Sequence, residues 1–165
     1  MNFVKEWLNR AEKEVGDENA VFRFFCLFIA FNYLYKEYKN VKRKDGKSRS
    51  NSEKEQINLL LDEAQKHIRE FRPYEVLDAD SEILKTPVKS VQNLRSGNTK
   101  EVISKEKLAQ KDIKELFHSV YTVRCNLFHG SKVLNEERDK KLVAECSTIL
   151  EYFLTKYNDS YELGE

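Results

Sequence analysis

The stretch VFRFFCLFIAFNYLY, residues 21–35, is the most apolar part of the chain and is interrupted only by Arg23 and Asn32. A membrane-spanning helix needs roughly 20 apolar residues, so this stretch reads as a buried helix. Phe22, Phe24, Phe25, Leu27, Phe28, Phe31, Leu34 and Tyr35 go nearly all the way round it. A helix apolar on every side is central in a core or buried in an oligomer.

The flanking sequence supplies partners for such a helix. Before it, Phe3, Trp7, Leu8 and Ala11 recur at helical spacing from about Asn2 to Val15, and Gly16 ends that run. Asp17 is placed to cap the apolar helix. After it, residues 39–52 break the pattern with Lys39, Lys42, Arg43, Lys44, Lys47 and Arg49, and are expected to form a mobile basic loop. Ser52 and Glu55 make a capping box for a third helix reaching about Phe71, stopped by Arg72-Pro73. Residues 74–99 carry little periodicity; short helices are expected near Ser81–Leu84 and Val88–Leu94. A fourth helix starts at Lys105 or Lys111 and ends at Phe128, with Gly130 as its C-terminal cap. Asn135 caps a fifth, which carries Leu142, Val143, Cys146, Ile149, Leu150 and Phe153 inward to about Tyr157 and frays after Asn158.

The length of 165 residues suits one domain, spanning 1–165. With 5 Gly and 2 Pro, the chain lacks the turns that a sandwich or barrel needs. The expected class is therefore all-α, a bundle of about five helices. A net charge of +1 rules out a uniformly basic nucleic-acid surface, so any such contact is local. Cys26, Cys125 and Cys146 are widely spaced and form no metal-ligand pattern. They point to a reducing compartment, with neither metal nor cofactor expected. The N-terminus lacks a signal-peptide layout, since Glu6, Arg10, Glu12 and Glu14 interrupt it. The expected location is cytoplasmic, with no membrane contact.

The fourth helix contains an anomaly. At about 100° per residue from Ile113, Phe117 falls near 40°, Val120 near 340°, Leu127 near 320° and Phe128 near 60°. Arg124 falls near 20°, amid this apolar stripe. An arginine there is costly unless it is paired or lines a solvated cleft. One reading is a buried ion pair with an acid on another helix; the other is a functional site. His118, Ser119, Thr122, Asn126 and His129 share the opposite face, and His129 lies about 140° from Arg124. On its own, His129 reads as a helix-end histidine favoured by the macrodipole, and Asn126 as surface polarity. His67 and His118 read as ordinary surface residues.

The string Val123-Arg124-Cys125-Asn126-Leu127-Phe128-His129-Gly130 resembles the signature of HEPN domains, an Arg followed a few residues later by a His at a helix end. The stretch Leu27–Tyr35 resembles the early helix of some bacterial members, and the order of helices is similar. Residues from about Lys39 to Gln110 carry little of the likeness. The resemblance implies a homodimeric, metal-independent RNA endonuclease whose two motif helices line a shared cleft. In that cleft Arg124 holds the scissile phosphate and His129 moves a proton, its unperturbed pKa lying near 6.5. Asn126 orients one or the other by hydrogen bonding.

The implied setting is toxin–antitoxin or antiphage defence, with an antitoxin protein as a partner and single-stranded RNA or a nucleotide as ligand. Lys132, Lys42, Arg43 and Lys44 are the candidate RNA contacts. One position departs from the family pattern. The slot after the Arg, usually Asn, Asp or His, holds Cys125, and Asn126 comes one place later. That departure supports the alternative, a catalytically inactive module binding nucleotide, RNA or a partner protein.

Overall fold

A computed structural model describes residues 3–14, 16–42, 48–85, 88, 111–128 and 137–162. Six α-helices appear among them: α1 (Phe3–Lys13), α2 (Ala20–Lys36), α3 (Glu53–His67), α4 (Glu82–Lys85), α5 (Ile113–Phe128) and α6 (Glu137–Glu162). The fold is all-α. The one strand pairing in the described residues is a short antiparallel hairpin, β1 (Asn40–Lys42) with β2 (Ser48–Ser50), in register Val41 to Arg49. The expected mobile loop at 39–52 is thus paired backbone at both its arms. The ladder continues into Asn51, whose N–H donates to the Lys39 carbonyl at 2.9 Å.

The apolar helix is central, as its composition requires. α2 packs against α1, α3 and α6, while α5 packs against α3 and α6. Phe31 of α2, Phe117 of α5 and Phe153 of α6 meet in a three-way cluster with ring centroids 5.4 Å apart in each pair. All three are fully buried. Removing one such ring costs about 3–5 kcal/mol, so this cluster sets the helix positions that everything else inherits.

Asp17, expected to cap α2, instead begins a 3-10 turn (Asp17–Asn19), and the N-cap position falls to Asn19 with no side-chain cap hydrogen bond; other local signals act as the sequence demands. The Ser52 hydroxyl accepts from the Glu55 N–H at 3.3 Å, and the Glu55 carboxylate accepts from the Ser52 N–H at 2.8 Å. This closes the predicted capping box. Gly16 adopts φ +103°, where an added Cβ would come within 2.8 Å of the Glu18 carboxylate, so the α1–α2 turn depends on glycine. The short α4 is held from outside itself. Glu145 of α6 accepts from the Ser81 hydroxyl and from the N–H groups of Glu82 and Ile83.

Three boundaries differ from expectation. α3 ends at His67 rather than near Phe71, and Glu70 turns the chain with φ +56°. α6 runs through Asn158 to Glu162 instead of fraying. Pro73 begins a 3-10 turn, Pro73–Val76, where its fixed φ suits the first position. Of the expected helix at 88–94 only Val88, which is buried, is among the described residues; residues 89–94 and the caps Gly130 and Asn135 lie outside them.

Candidate functional site

α5 presents its last two turns to α2 and to the start of α3, and two contrasting arrangements result. The first is built on Glu53, the opening residue of α3. Its Oε2 accepts from the Tyr121 hydroxyl at 2.6 Å. Its Oε1 accepts from Lys36 Nζ at 2.9 Å and from the Tyr35 hydroxyl at 3.2 Å. Burial pushes the Glu53 carboxyl upward, but the donors Tyr121, Lys36 and Tyr35 outweigh it and hold its pKa below the ordinary value. Burial, with the adjacent carboxylate, raises both tyrosines well above their usual range. Glu53 therefore stays charged and fully engaged.

The second arrangement is Arg124, one turn beyond Tyr121. It is half-buried, and its guanidinium carbon lies 4.4 Å from the centroid of the Phe128 ring and 5.5 Å from that of Phe28. A weakly hydrated planar cation stacks well on such faces. Its Nη1 sits 3.9 Å from Cys125 Sγ, a weak contact. Nε is buried and has no hydrogen-bond partner among the described residues. No described carboxylate forms an ion pair with it, which removes the core ion-pair reading of this residue as far as the described residues go. Glu53, the acid held by Tyr121 one turn back on α5, is already committed to Tyr121, Tyr35 and Lys36. Among the described residues Arg124 thus has aromatic support and an Nε without a hydrogen-bond partner, an arrangement suited to an anion such as phosphate.

The other sequence candidates are distributed less simply. Asn126 is buried at 5% exposure, which overturns its reading as surface polarity. Most of the described polar face of α5 is covered. Ser119 and Thr122 are buried too, and their hydroxyls donate to the carbonyls of Glu115 and His118 four residues back. His118 is half-buried rather than on the surface, whereas His67 is exposed and pairs with Glu63 at 2.7 Å. Phe128, expected on the inward stripe, is 61% exposed and rests on Phe25 with centroids 4.9 Å apart.

Lys42 is placed by its backbone in β1. His129, Lys132, Arg43 and Lys44 lie outside the described residues. Nothing in the structure therefore relates His129 to Arg124. Sequence reasoning missed Glu53, Tyr35 and Tyr121. Their contact joins positions 68 residues apart, and no local pattern announces it.

Among the described residues no three His, Cys, Asp or Glu side chains come together as a metal-ion site. No helix there is long and apolar enough to cross a membrane. Comparison with models of known families, with curated proteins and with solved structures found no match. The family resemblance consequently rests on the motif at Arg124–Gly130 and the order of helices.

Proposed function

We propose that this chain is a metal-independent RNA endonuclease of HEPN type that works as a homodimer in the cytoplasm, in a toxin–antitoxin or antiphage setting. The observation that carries the reading is Arg124: a half-buried guanidinium at a helix end, stacked on aromatic rings, with no carboxylate partner among the described residues. A purely structural arginine in such a place needs an acid to offset its desolvation. An anion-binding arginine needs its donors left open.

In this reading the RNA supplies its own nucleophile. The 2′-hydroxyl attacks the adjacent phosphorus and loses its proton to a base, and the 5′-oxygen leaves with a proton from an acid. The products are a 2′,3′-cyclic phosphate and a 5′-hydroxyl. His129 serves as one proton carrier, and Arg124 stabilises the charge that grows on the phosphoryl oxygens. Lys132, Lys42, Arg43 and Lys44 guide the strand by charge. The test is cleavage of single-stranded RNA in EDTA, read by product end-group analysis. Wild type is expected to leave cyclic phosphate ends, and His129→Ala to cut at least about 10²-fold more slowly. Uncut RNA across varied sequences and pH values would reject the enzyme.

A second reading is a module that binds nucleotide, RNA or a partner protein without cutting. Burial of Asn126 and the thiol of Cys125 beside the guanidinium favour it, because neither supplies an exposed polar neighbour to Arg124. Cys125→Asn distinguishes the two. Faster cutting in that variant supports an enzyme limited by this slot, while tight binding with no cutting in either protein selects the module.

A further inference from the structure

Three cations lie over aromatic rings among the described residues: Arg10 over Trp7 at 4.6 Å, Lys36 over Tyr35 at 5.4 Å, and Arg124 over Phe28 at 5.5 Å and Phe128 at 4.4 Å. The first two cations are also ion-paired, Arg10 with Glu6 at 2.6 Å and Lys36 with Glu53 at 2.9 Å. Their charge is used within the fold. Arg124 has no such carboxylate among the described residues. Of its two rings, Phe28 is buried, whereas Phe128 is 61% exposed, the most open of the large hydrophobics described. Phe128 is thus the place where an open ring carries a cation that no described acid neutralises.

The fold holds the two groups together. Arg124 and Phe128 are four residues apart on α5, so they share one face of it. The Phe128 ring rests at a 60° tilt on half-buried Phe25 of α2, with centroids 4.9 Å apart. An exposed phenylalanine by itself is ordinary. One that has a backing ring and an unneutralised guanidinium beside it has the two parts of a single-stranded nucleic-acid contact: a π face for a base and a cation for the backbone. Other occupants use only half of this. A free inorganic anion engages the guanidinium and leaves the ring in water. An apolar partner covers the ring but takes an unpaired charge out of water, which is costly. A nucleotide unit, with a base and a phosphate, suits both.

We infer that Phe128 is a base-stacking platform, a specificity-determining residue that takes the base of the nucleotide whose phosphate meets Arg124. This deepens the RNA reading given above and rests on Arg124 as its phosphate contact. Because larger bases stack more strongly, the platform favours purines. The experiment is fluorescence anisotropy of the full chain with short, labelled 2′-O-methyl oligoadenylate and oligouridylate over a range of salt. Their blocked 2′-oxygens cannot attack, so binding is read apart from cutting. The variants are Phe128→Leu, which keeps apolar bulk and loses the π face, Phe128→Trp, which enlarges that face, and Arg124→Ala. Far-UV circular dichroism checks their helicity, and sedimentation equilibrium their mass.

Wild type is expected to bind oligoadenylate more tightly than oligouridylate. Phe128→Leu should weaken oligoadenylate binding at least about 5-fold, narrow the gap between the two strands and leave the salt dependence unchanged. Phe128→Trp should bind at least as well as wild type. Arg124→Ala should instead flatten the logarithmic salt slope by about 0.7, the share of one phosphate on a single strand. Equal binding by wild type and Phe128→Leu would overturn the inference, as would a wild type that binds neither strand. So would a Trp variant as weak as the Leu variant, or a fall in sedimenting mass in Phe128→Leu, since the ring would then pack against protein. Unmodified RNA separates the two claims. Stacking without any cutting would sink the nuclease reading and leave this one intact, and cutting with no effect of Phe128→Leu on binding would do the reverse.

Discussion

Glu53 and Arg124 lie at the same end of the molecule, next to the same two turns of α5, and are treated in opposite ways. Glu53 is given three donors from α2 and α5. Arg124 is given two aromatic faces, a thiol at 3.9 Å and no described acid. Coulomb attraction alone would bring a nearby acid and base together. The structure instead commits the acid to tyrosines and a lysine, and among the described residues the guanidinium has no carboxylate partner. Tyr121 and Arg124, three residues apart on one helix, separate two roles: one ties α5 to α3, and the other has no acid among the described residues and is, in the proposed reading, the anion contact.

The sharpest way to break this contrast is to remove the acid. Glu53→Ala leaves the Tyr35 and Tyr121 hydroxyls without their acceptor, at ~1–3 kcal/mol for each buried group. A loss of about 2–4 kcal/mol is expected in urea unfolding. A loss below about 0.5 kcal/mol would show that the cluster is a surface ornament. Tyr121→Phe removes one bond and should cost about 1–1.5 kcal/mol.

The pH dependence sharpens the same contrast. Glu53 has a lowered pKa in the folded state, so its contribution is present above its ordinary value of 4.5 and is lost as pH falls below that. Tyr35 and Tyr121 have raised values, so their contribution is present below the ordinary value of 10.0 and is lost as pH climbs past it. Stability should therefore stay level from about pH 5 to 9 as far as this cluster is concerned. Glu53→Gln is expected to flatten the acid limb and Tyr121→Phe the alkaline one, both read from melts across pH. An unchanged alkaline limb in Tyr121→Phe would count against the raised tyrosine.

The smallest effect concerns the thiol beside the guanidinium. Cys26 and Cys146 are buried, and burial raises both thiols, whereas Cys125 is half-buried. Native-state alkylation followed by mass spectrometry should modify Cys125 first with little change in melting temperature. Equal labelling of all three would mean that α2 and α6 open as readily as the tip of α5.

The parts of this fold that were legible in the sequence are the local ones. The Ser52–Glu55 box is a four-residue device, and the amphipathic pattern of α6 carries its own phase. α2 was readable as central but not as two-faced, because a helix apolar on every side has no phase from which to tell Phe24 in the core from Phe22 in water. The polar face of α5 misled for a related reason. Ser119 and Thr122 satisfy their hydroxyls on their own helix, so a face that looks solvated is buried at little cost. Glu53 was invisible because its meaning depends on Tyr121, which is distant in sequence. The hairpin was missed because strands of three residues leave no alternation to read.

The most direct test is Arg124→Ala with two readouts on the same preparation, stability and RNA cleavage in EDTA. The stacked guanidinium contributes about 0.5–2 kcal/mol through its aromatic contacts, so a loss of that size is expected, with RNA cutting down by about 10²-fold or more. A loss of about 3–5 kcal/mol, the cost of breaking a buried ion pair, with RNA handling unchanged, would contradict the account and make Arg124 a residue of the core.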